Sequence, residues 1–512
     1  MVHYIGDAGA NSHSGTAFKD TLEGLGGNDT LSGADNNDAI FGDEGTDFLN
    51  GGLGKDTVSG GTESDFISDV SDTDIDHLNG DAGDDVVSGA WKDILDGGAG
   101  TNDRFEVRFD ALDSINFDFS GLTSGGAFTV ARTSLNGFER GAFFLTDGDD
   151  KITAAGLDAQ YFGLDGNDKL LGGDQDDTLS GGSNLVDDAD VMKGGAGNDR
   201  ANGGPGDKMQ GGDGTDTFEL HFEGVSAGMD IDFSPIDTGG FVNLGLGGFM
   251  NGFEQGNATF GSGDDRIKTG ATALTFLTGG FGNDTMISGA GGDRLDGGMG
   301  NDVIRGGLGA DEATFFNIAG AITLDLSNTG FQDTGGAGVD KFSEVENVFG
   351  SLFEDRLTGD AQGNRLTGWL GGDTLIGGVG NDLLIGGSFT TDTAVEVDRL
   401  SGGAGQDTLA AGGGADVLVW SSTFHTTVAA PDQITMLEAI DVIHLKDIDA
   451  DVTTAGDQAF TIVGALTGVA GQMAVIFNVT KTQWLLDTDG DGTANGMFEA
   501  AGDHTAHAEY VL

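Results

Sequence analysis

Along the first part of the chain, apolar side chains return with a period of nine: Leu22, Leu31, Ile40, Leu49, Val58 and Ile67. Polar residues and glycine fill the positions between them. Two residues ahead of each apolar one stands an aspartate, at Asp20, Asp29, Asp38, Asp47, Asp56 and Asp65. Five ahead of each aspartate stands a glycine, at Gly15, Gly24, Gly33, Gly42, Gly51 and Gly60. Three chemistries locked to one period predict a repeated turn followed by a short strand. Glycine lets the backbone bend where a Cβ would clash. The apolar residue points inward from the strand, and the carboxylate is a hard oxygen donor suited to calcium.

The unit recurs in four arrays, and three related segments separate them. Each segment opens on aromatic-rich alternation: Phe105–Phe109, Phe218–Phe222 and Phe315–Ile318. Each continues with apolar-Asp-apolar-Ser, at Phe117–Ser120, Ile231–Ser234 and Leu324–Ser327. Each then carries Phe138-Glu139, Phe253-Glu254 or Val345-Glu346, and re-enters an array at Asp149-Asp150, Asp264-Asp265 or Glu354-Asp355. Period-two alternation predicts β-strands with one buried face in these inserts. The expected organisation is an array over 1–104, an insert over 105–149, an array over 150–217, an insert over 218–263, an array over 264–311, an insert over 312–354, an array over 355–419 and a C-terminal β segment over 420–512. In that last segment strands are expected at Asp441–Leu445, Phe460–Val463 and Met473–Phe477.

Composition narrows the partners. Of 512 residues 96 are glycine, 3 are proline and none is cysteine, so disulfides cannot stabilise the fold. Acidic residues outnumber basic ones 85 to 22, a formal net charge of −63. That excess opposes compaction and repels nucleic acid, leaving a multivalent cation as the natural partner. Glycine-rich acidic chains can be disordered, but here the hydrophobic residues fall in register. No apolar run approaches the roughly 20 residues that span a bilayer, and no cleavable secretory signal is expected at the N-terminus.

The intact form Gly-Gly-x-Gly-x-Asp, as at Gly297–Asp302 and Gly377–Asp382, resembles the nonapeptide of the RTX family. The resemblance implies an all-β fold: a right-handed parallel β-roll, a calcium-bound β-solenoid, interrupted by the three inserts. In it six residues turn and three form a strand, and consecutive repeats lie on opposite sides. Turns 18 residues apart therefore stack, with calcium held between them by two aspartates and backbone carbonyls. Here that pairs Asp20 with Asp38, Asp29 with Asp47, Asp38 with Asp56, Asp47 with Asp65, Asp355 with Asp373, and Asp398 with Asp416. Asn364 opposite Asp382 departs from the pattern, and its uncharged amide predicts a weaker site or none. The eight-residue step from Asp199 to Asp207 puts individual sites in question. Beyond Asp20, Asp29, Asp38, Asp47, Asp56 and Asp65, the candidate calcium carboxylates are Asp85, Asp168, Asp177, Asp199, Asp207, Asp216, Asp284, Asp293, Asp302, Asp311, Asp355, Asp373, Asp382, Asp398, Asp407 and Asp416.

Asp432–Thr435, Asp441–Leu445 and Asp487–Gly492 resemble the export-linked end of the serralysins, which implies passage through a type I secretion apparatus. Asp487, Asp489 and Asp491 also match the start of an EF-hand loop, but position 12 is Phe498 rather than Glu, so a weak calcium loop and a plain acidic turn both stand.

Enzyme signatures are wanting. No histidine is followed by glutamate, as a His-Glu-x-x-His zinc protease requires. The expected function is a secreted structural protein of the bacterial cell surface or matrix, of S-layer, biofilm or adhesin type, that folds and self-associates on calcium outside the cell and has a cell-surface glycan as a candidate partner. The alternatives are an RTX enzyme acting on polysaccharide, or an RTX toxin.

Overall fold

The structure is a computed structural model that describes residues 1–109, 112–130, 133–153, 156–182, 188–270, 274–387, 396–423, 425–455 and 457–512. Nearly every regular element is a strand of three to six residues, and most pairs are parallel. The nine-residue period sets this directly. A repeat supplies one strand, the turn reverses direction across a thin core, and the next strand falls on the opposite face. Strand Thr30–Asp35 therefore pairs not with the next strand in sequence but with Phe48–Leu53, placing Leu31 on Leu49. On the other face Leu22 lies on Ile40, and Ile40 on Val58. These inward residues are no more than 2 % exposed. The fold is a parallel β-roll.

The chain packs as two compact units, residues 1–225 with 231–258, and residues 226–230 with 259–512. In the first unit one face runs in parallel register from Ser12–Ser14 through Arg104–Arg108, Arg140–Phe144 and Asp158–Phe162 to Thr217–His221, past the first insert without a break. The opposite face stops. Its last array strand, Ile94–Asp96, pairs with Thr133–Asn136, which turns back antiparallel onto Phe128–Val130. A new sheet then starts at Asn116–Asp118, beside Lys151–Thr153. The second unit repeats the device: Val339–Ser343 ends a face with antiparallel Gln332–Asp333, while Glu312–Thr314 carries the other face on to Asn347–Phe349. Each insert thus ends one ladder with a hairpin and seeds the next.

The inserts widen the core, and phenylalanine fills it. Phe105 meets Phe138 and Phe143 edge-on at 5.4 and 5.0 Å, and Phe218 stacks on Phe233 at 5.7 Å. Gly141 has to be glycine, since a Cβ there would lie 2.0 Å from Cζ of Phe105. One expectation fails. Phe315–Ile318 is a turn closed by the Ile318 N–H donating to the Phe315 carbonyl at 3.0 Å, and the strand lies just before it at Glu312–Thr314. The local hydrogen bond wins over the alternation there.

Past the last array, strands form at Val442–His444, Thr461–Val463 and Gln472–Phe477, within a residue of the expected positions. An antiparallel meander of Gln472–Phe477, Lys481–Asp487 and Gly496–Ala501 docks on the roll through Asp432–Thr435. No helix among the described residues is long and apolar enough to cross a membrane.

Candidate metal centre

In every array the turn aspartates form ladders, each backbone N–H donating to Oδ1 of the aspartate one coil on. Asp20 donates to Asp38 at 2.6 Å, Asp38 to Asp56 at 2.6 Å, Asp56 to Asp76 at 2.7 Å and Asp76 to Asp93 at 3.0 Å. Across the roll, Asp29 donates to Asp47, Asp47 to Asp65, Asp65 to Asp85 and Asp85 to Asp103, all at 2.7–2.8 Å. The second array links Asp150, Asp168, Asp190 and Asp207 on one side and Asp177, Asp199 and Asp216 on the other. The third links Asp265, Asp284, Asp302 and Asp340, and Asp293 with Asp311. The fourth links Asp355, Asp373, Asp398, Asp416 and Asp441, and Asn364, Asp382, Asp407 and Asp432.

Sequence spacing alone missed Asp69, Asp76, Asp93, Asp103, Asp150, Asp190, Asp265, Asp340, Asp432 and Asp441. For Asp76, Asp190, Asp340, Asp432 and Asp441 the step between partners is 20, 22, 25 or 38 residues because a coil carries extra chain, whereas Asp103 and Asp150 stand a regular 18 residues from Asp85 and Asp168 and lay within reach of counting. The acidic doublets that re-enter the arrays were a usable signal for Asp150 and Asp265. Three ladders end on the insert glutamates: the N–H groups of Asp103, Asp216 and Asp311 donate to Oε2 of Glu139, Glu254 and Glu346 at 2.9, 2.6 and 3.0 Å.

The second carboxylate oxygen divides the turns into two kinds. In open turns, such as those of Asp29, Asp38, Asp47, Asp56, Asp65, Asp85, Asp168, Asp199, Asp216, Asp284, Asp311, Asp373, Asp382, Asp407 and Asp416, Oδ2 is buried and has no hydrogen-bond partner. The residue four places before each of these has a left-handed φ, for example Leu25 at 73°, Ala34 at 81°, Gly52 at 110° and Trp369 at 89°. In closed turns that residue donates its N–H to the carboxylate. Thr16 closes Asp20 at 2.6 Å, Thr146 closes Asp150 at 2.7 Å, Gly173 closes Asp177 at 2.7 Å and Ser351 closes Asp355 at 2.5 Å. Thr16, Thr146 and Ser351 add their hydroxyls. Asp360 closes Asn364 in the same way at 2.8 Å. None of Thr16, Thr146, Ser351 and Asp360 is left-handed. At Asp207, Asp432 and Asp441 the donors are the Gly204 N–H, the Trp420 indole and the Glu438 N–H.

Open turns are built around a hole. A Cβ on Gly24 would lie 2.1 Å from Asp29 Oδ2 and 2.6 Å from the Gly42 carbonyl oxygen. On Gly42 it would lie 2.2 Å from Asp47 Oδ2 and 2.5 Å from the Gly60 carbonyl oxygen. Carboxylate and carbonyl oxygens thus converge on the space that the missing side chain leaves. Burial, reinforced by neighbouring carboxylates, pushes Asp38 up to about 6, Asp65 and Asp85 to about 7 and Asp373 to about 9, against an opposing backbone N–H. A rise from 3.8 to about 7 corresponds to roughly 4 kcal/mol disfavouring the anion. That shift already includes the opposing N–H bond; a hard cation offsets it, and an all-oxygen donor set suits calcium. At Asp20 burial is outweighed by the N–H groups of Val2 and Thr16 and by the Thr16 hydroxyl, which bring it down to about 2.

Seven stretches match the family model for the RTX calcium-binding nonapeptide repeat: residues 5–40, 14–49, 32–67, 160–184, 186–218, 278–313 and 349–388. The chain carries RTX calcium-binding repeats. Residues 372–512 match the serralysin C-terminal model of the M10 peptidases, so the RTX arrays run into a secretion-linked end of the type I kind. No curated protein matches the chain. RTX repeats bind calcium, and their number here means many ions. In the C-terminal RTX segment Asp487, Asp489 and Asp491 bring three carboxylate oxygens within 4.8 Å of one another. Asp487 is buried and accepts the N–H groups of Gly490 and Gly492, while Asp489 and Asp491 are exposed.

Proposed function

We propose that the open turns are the calcium sites, and that the protein is a structural component of a bacterial surface or matrix that folds on calcium after export. The observation that carries this is the row of buried, unpartnered Oδ2 atoms repeated through all four arrays. In most of these turns, as at Asp29, Asp47, Asp168 and Asp373, a carbonyl oxygen lies across the same space, and no basic side chain enters the rows as a counterion in the salt bridges of the described residues. Closed turns, with both oxygens already engaged, act as metal-independent ends. Inside a cell, at submicromolar calcium, the anionic rows stay apart and the chain stays extended for export. Outside, at ~1 mM calcium and a Kd of ~0.1 mM, each site adds about 1.4 kcal/mol.

A structural role is supported by how much of the chain the roll and its inserts use. Self-association is supported by an exposed aromatic pair, Phe48 and Phe66, stacked at 4.9 Å in neighbouring strands and 53 % and 45 % exposed. Electron microscopy of the protein with and without calcium tests the assembly, and a polysaccharide-clearing assay tests the enzyme reading. Calcium-dependent sheets or filaments bear out the structural role. Cleared polysaccharide with dispersed particles replaces it with an enzyme.

A further inference from the structure

The first array slips out of phase after Asp65, and the slip builds a site of different composition. Counting nines from Gly15 through Gly24, Gly33, Gly42, Gly51 and Gly60 reaches residue 69, which is aspartate. Asp69 closes strand Phe66–Asp69, and the register of Asn50 on Ser68 sets it beside Gly51. Its side chain enters the hole that the glycine pattern otherwise leaves for carbonyl oxygen. A Cβ on Gly51 would lie 2.0 Å from Asp69 Oδ2 and 2.9 Å from Asp56 Oδ2. Both residues are 1 % exposed, and neither of these oxygens has a hydrogen-bond partner. Two extra residues in the following coil then bring in Asp76, 20 places after Asp56, whose Oδ1 accepts the Asp56 N–H at 2.7 Å. Oxygens of Asp56, Asp69 and Asp76 lie within 4.8 Å of one another, all three residues being buried.

We infer that Asp56, Asp69 and Asp76 form a separate three-carboxylate site for one calcium ion, tighter than the sites of the repeat turns. Three buried anions around one small volume cannot all stay ionised without a cation, and the field they place on it exceeds that of a regular turn. Neighbouring acids do not compete for the ion. Asp93 has Oδ1 on the Asp76 N–H and Oδ2 on the Ala90 N–H. Asp72 is taken by the N–H groups of Gly54 and Asp74. The site lies at the edge of the repeat match over residues 32–67; Asp56 and Asp76 belong to the turn ladder, and Asp69 is the carboxylate added to it.

The test is a calorimetric calcium titration of the full chain in chelator-buffered solution, against Asp69→Asn and Asp76→Asn, with circular dichroism at saturating calcium to check folding. The expected result is one ion in the wild type that binds at least tenfold tighter than the rest, and whose tight step is gone in both folded variants while the later steps remain. Unchanged titration of Asp69→Asn overturns the site and means that Asp69 carries a proton there. A wild type with many ions of one affinity also overturns it and leaves the repeat sites standing. A chain that binds no calcium overturns both readings. Should Asp69→Asn fail to fold, Asp69→Gly, which supplies the glycine of the nine-residue pattern, takes its place and should lose the tight step only.

Discussion

A single aspartate in this protein performs two tasks with two oxygens. Oδ1 accepts an N–H from the coil before and sets the stacking, while Oδ2 of an open turn faces the space proposed for the metal. Replacing Asp382, an open turn, by asparagine is expected to remove one calcium from the titrated stoichiometry and raise the calcium midpoint of folding. The same change at Asp355, a closed turn, is expected to leave the stoichiometry intact and cost about 1–2 kcal/mol through the lost charge-assisted bonds. A calorimetric count of ions in the two variants distinguishes them. Gly42→Ala places a methyl 2.2 Å from Asp47 Oδ2. It should destabilise the calcium-loaded roll by about 1–3 kcal/mol and eliminate one ion, read by thermal melting and titration.

Strands of three to six residues are too short to be stable alone, so the elements hold one another. Ladders start at closed turns such as those of Asp20, Asp150 and Asp355, and several end at insert glutamates. This gives the inserts a physical role: they terminate a row of carboxylates with a longer acid from another strand. Glu254→Ala leaves the Asp216 N–H without its acceptor and should cost about 1–3 kcal/mol, concentrated in the last coil of the second array. Hydrogen exchange should show faster exchange at residues 208–221 and little change at 21–62. The inserts themselves were legible as strands from alternation. Phe315–Ile318 was misread because alternation over four residues does not outweigh a local turn bond.

Across the whole molecule the raised carboxylates make folding respond to pH with a definite sign. Asp65, Asp85 and Asp284 sit at about 7 in the folded chain against 3.8. The folded, metal-free state therefore binds more protons than the unfolded one, and its stability is present below about 3.8 and lost as pH rises through about 7. Calcium requires the ionised form, so protons compete with it. The calcium midpoint should accordingly be higher at pH 5.5 than at pH 8, while acid alone should induce part of the β signal in chelator. Circular dichroism over both variables checks this. Chelation at pH 8 should expand the chain, as read by its hydrodynamic radius, because the net charge of −63 is then uncompensated.

Sequence by itself determined the period, the inward apolar rows, the turn carboxylates and the cation they call for. Each is a local regularity repeated often enough to be read without knowing what touches what. Tertiary structure alone decided which oxygens are free. Whether an N–H points at Oδ2 depends on the φ of the residue four places earlier, and Gly173 and Gly195 look alike in sequence yet leave Asp177 closed and Asp199 open. It also decided the partners across irregular coils, such as Asp69 with Asp56 and Asp302 with Asp340. Those contacts are set by stacking of coils in space, and extra residues that bulge out of a coil change the count along the chain without changing the stack.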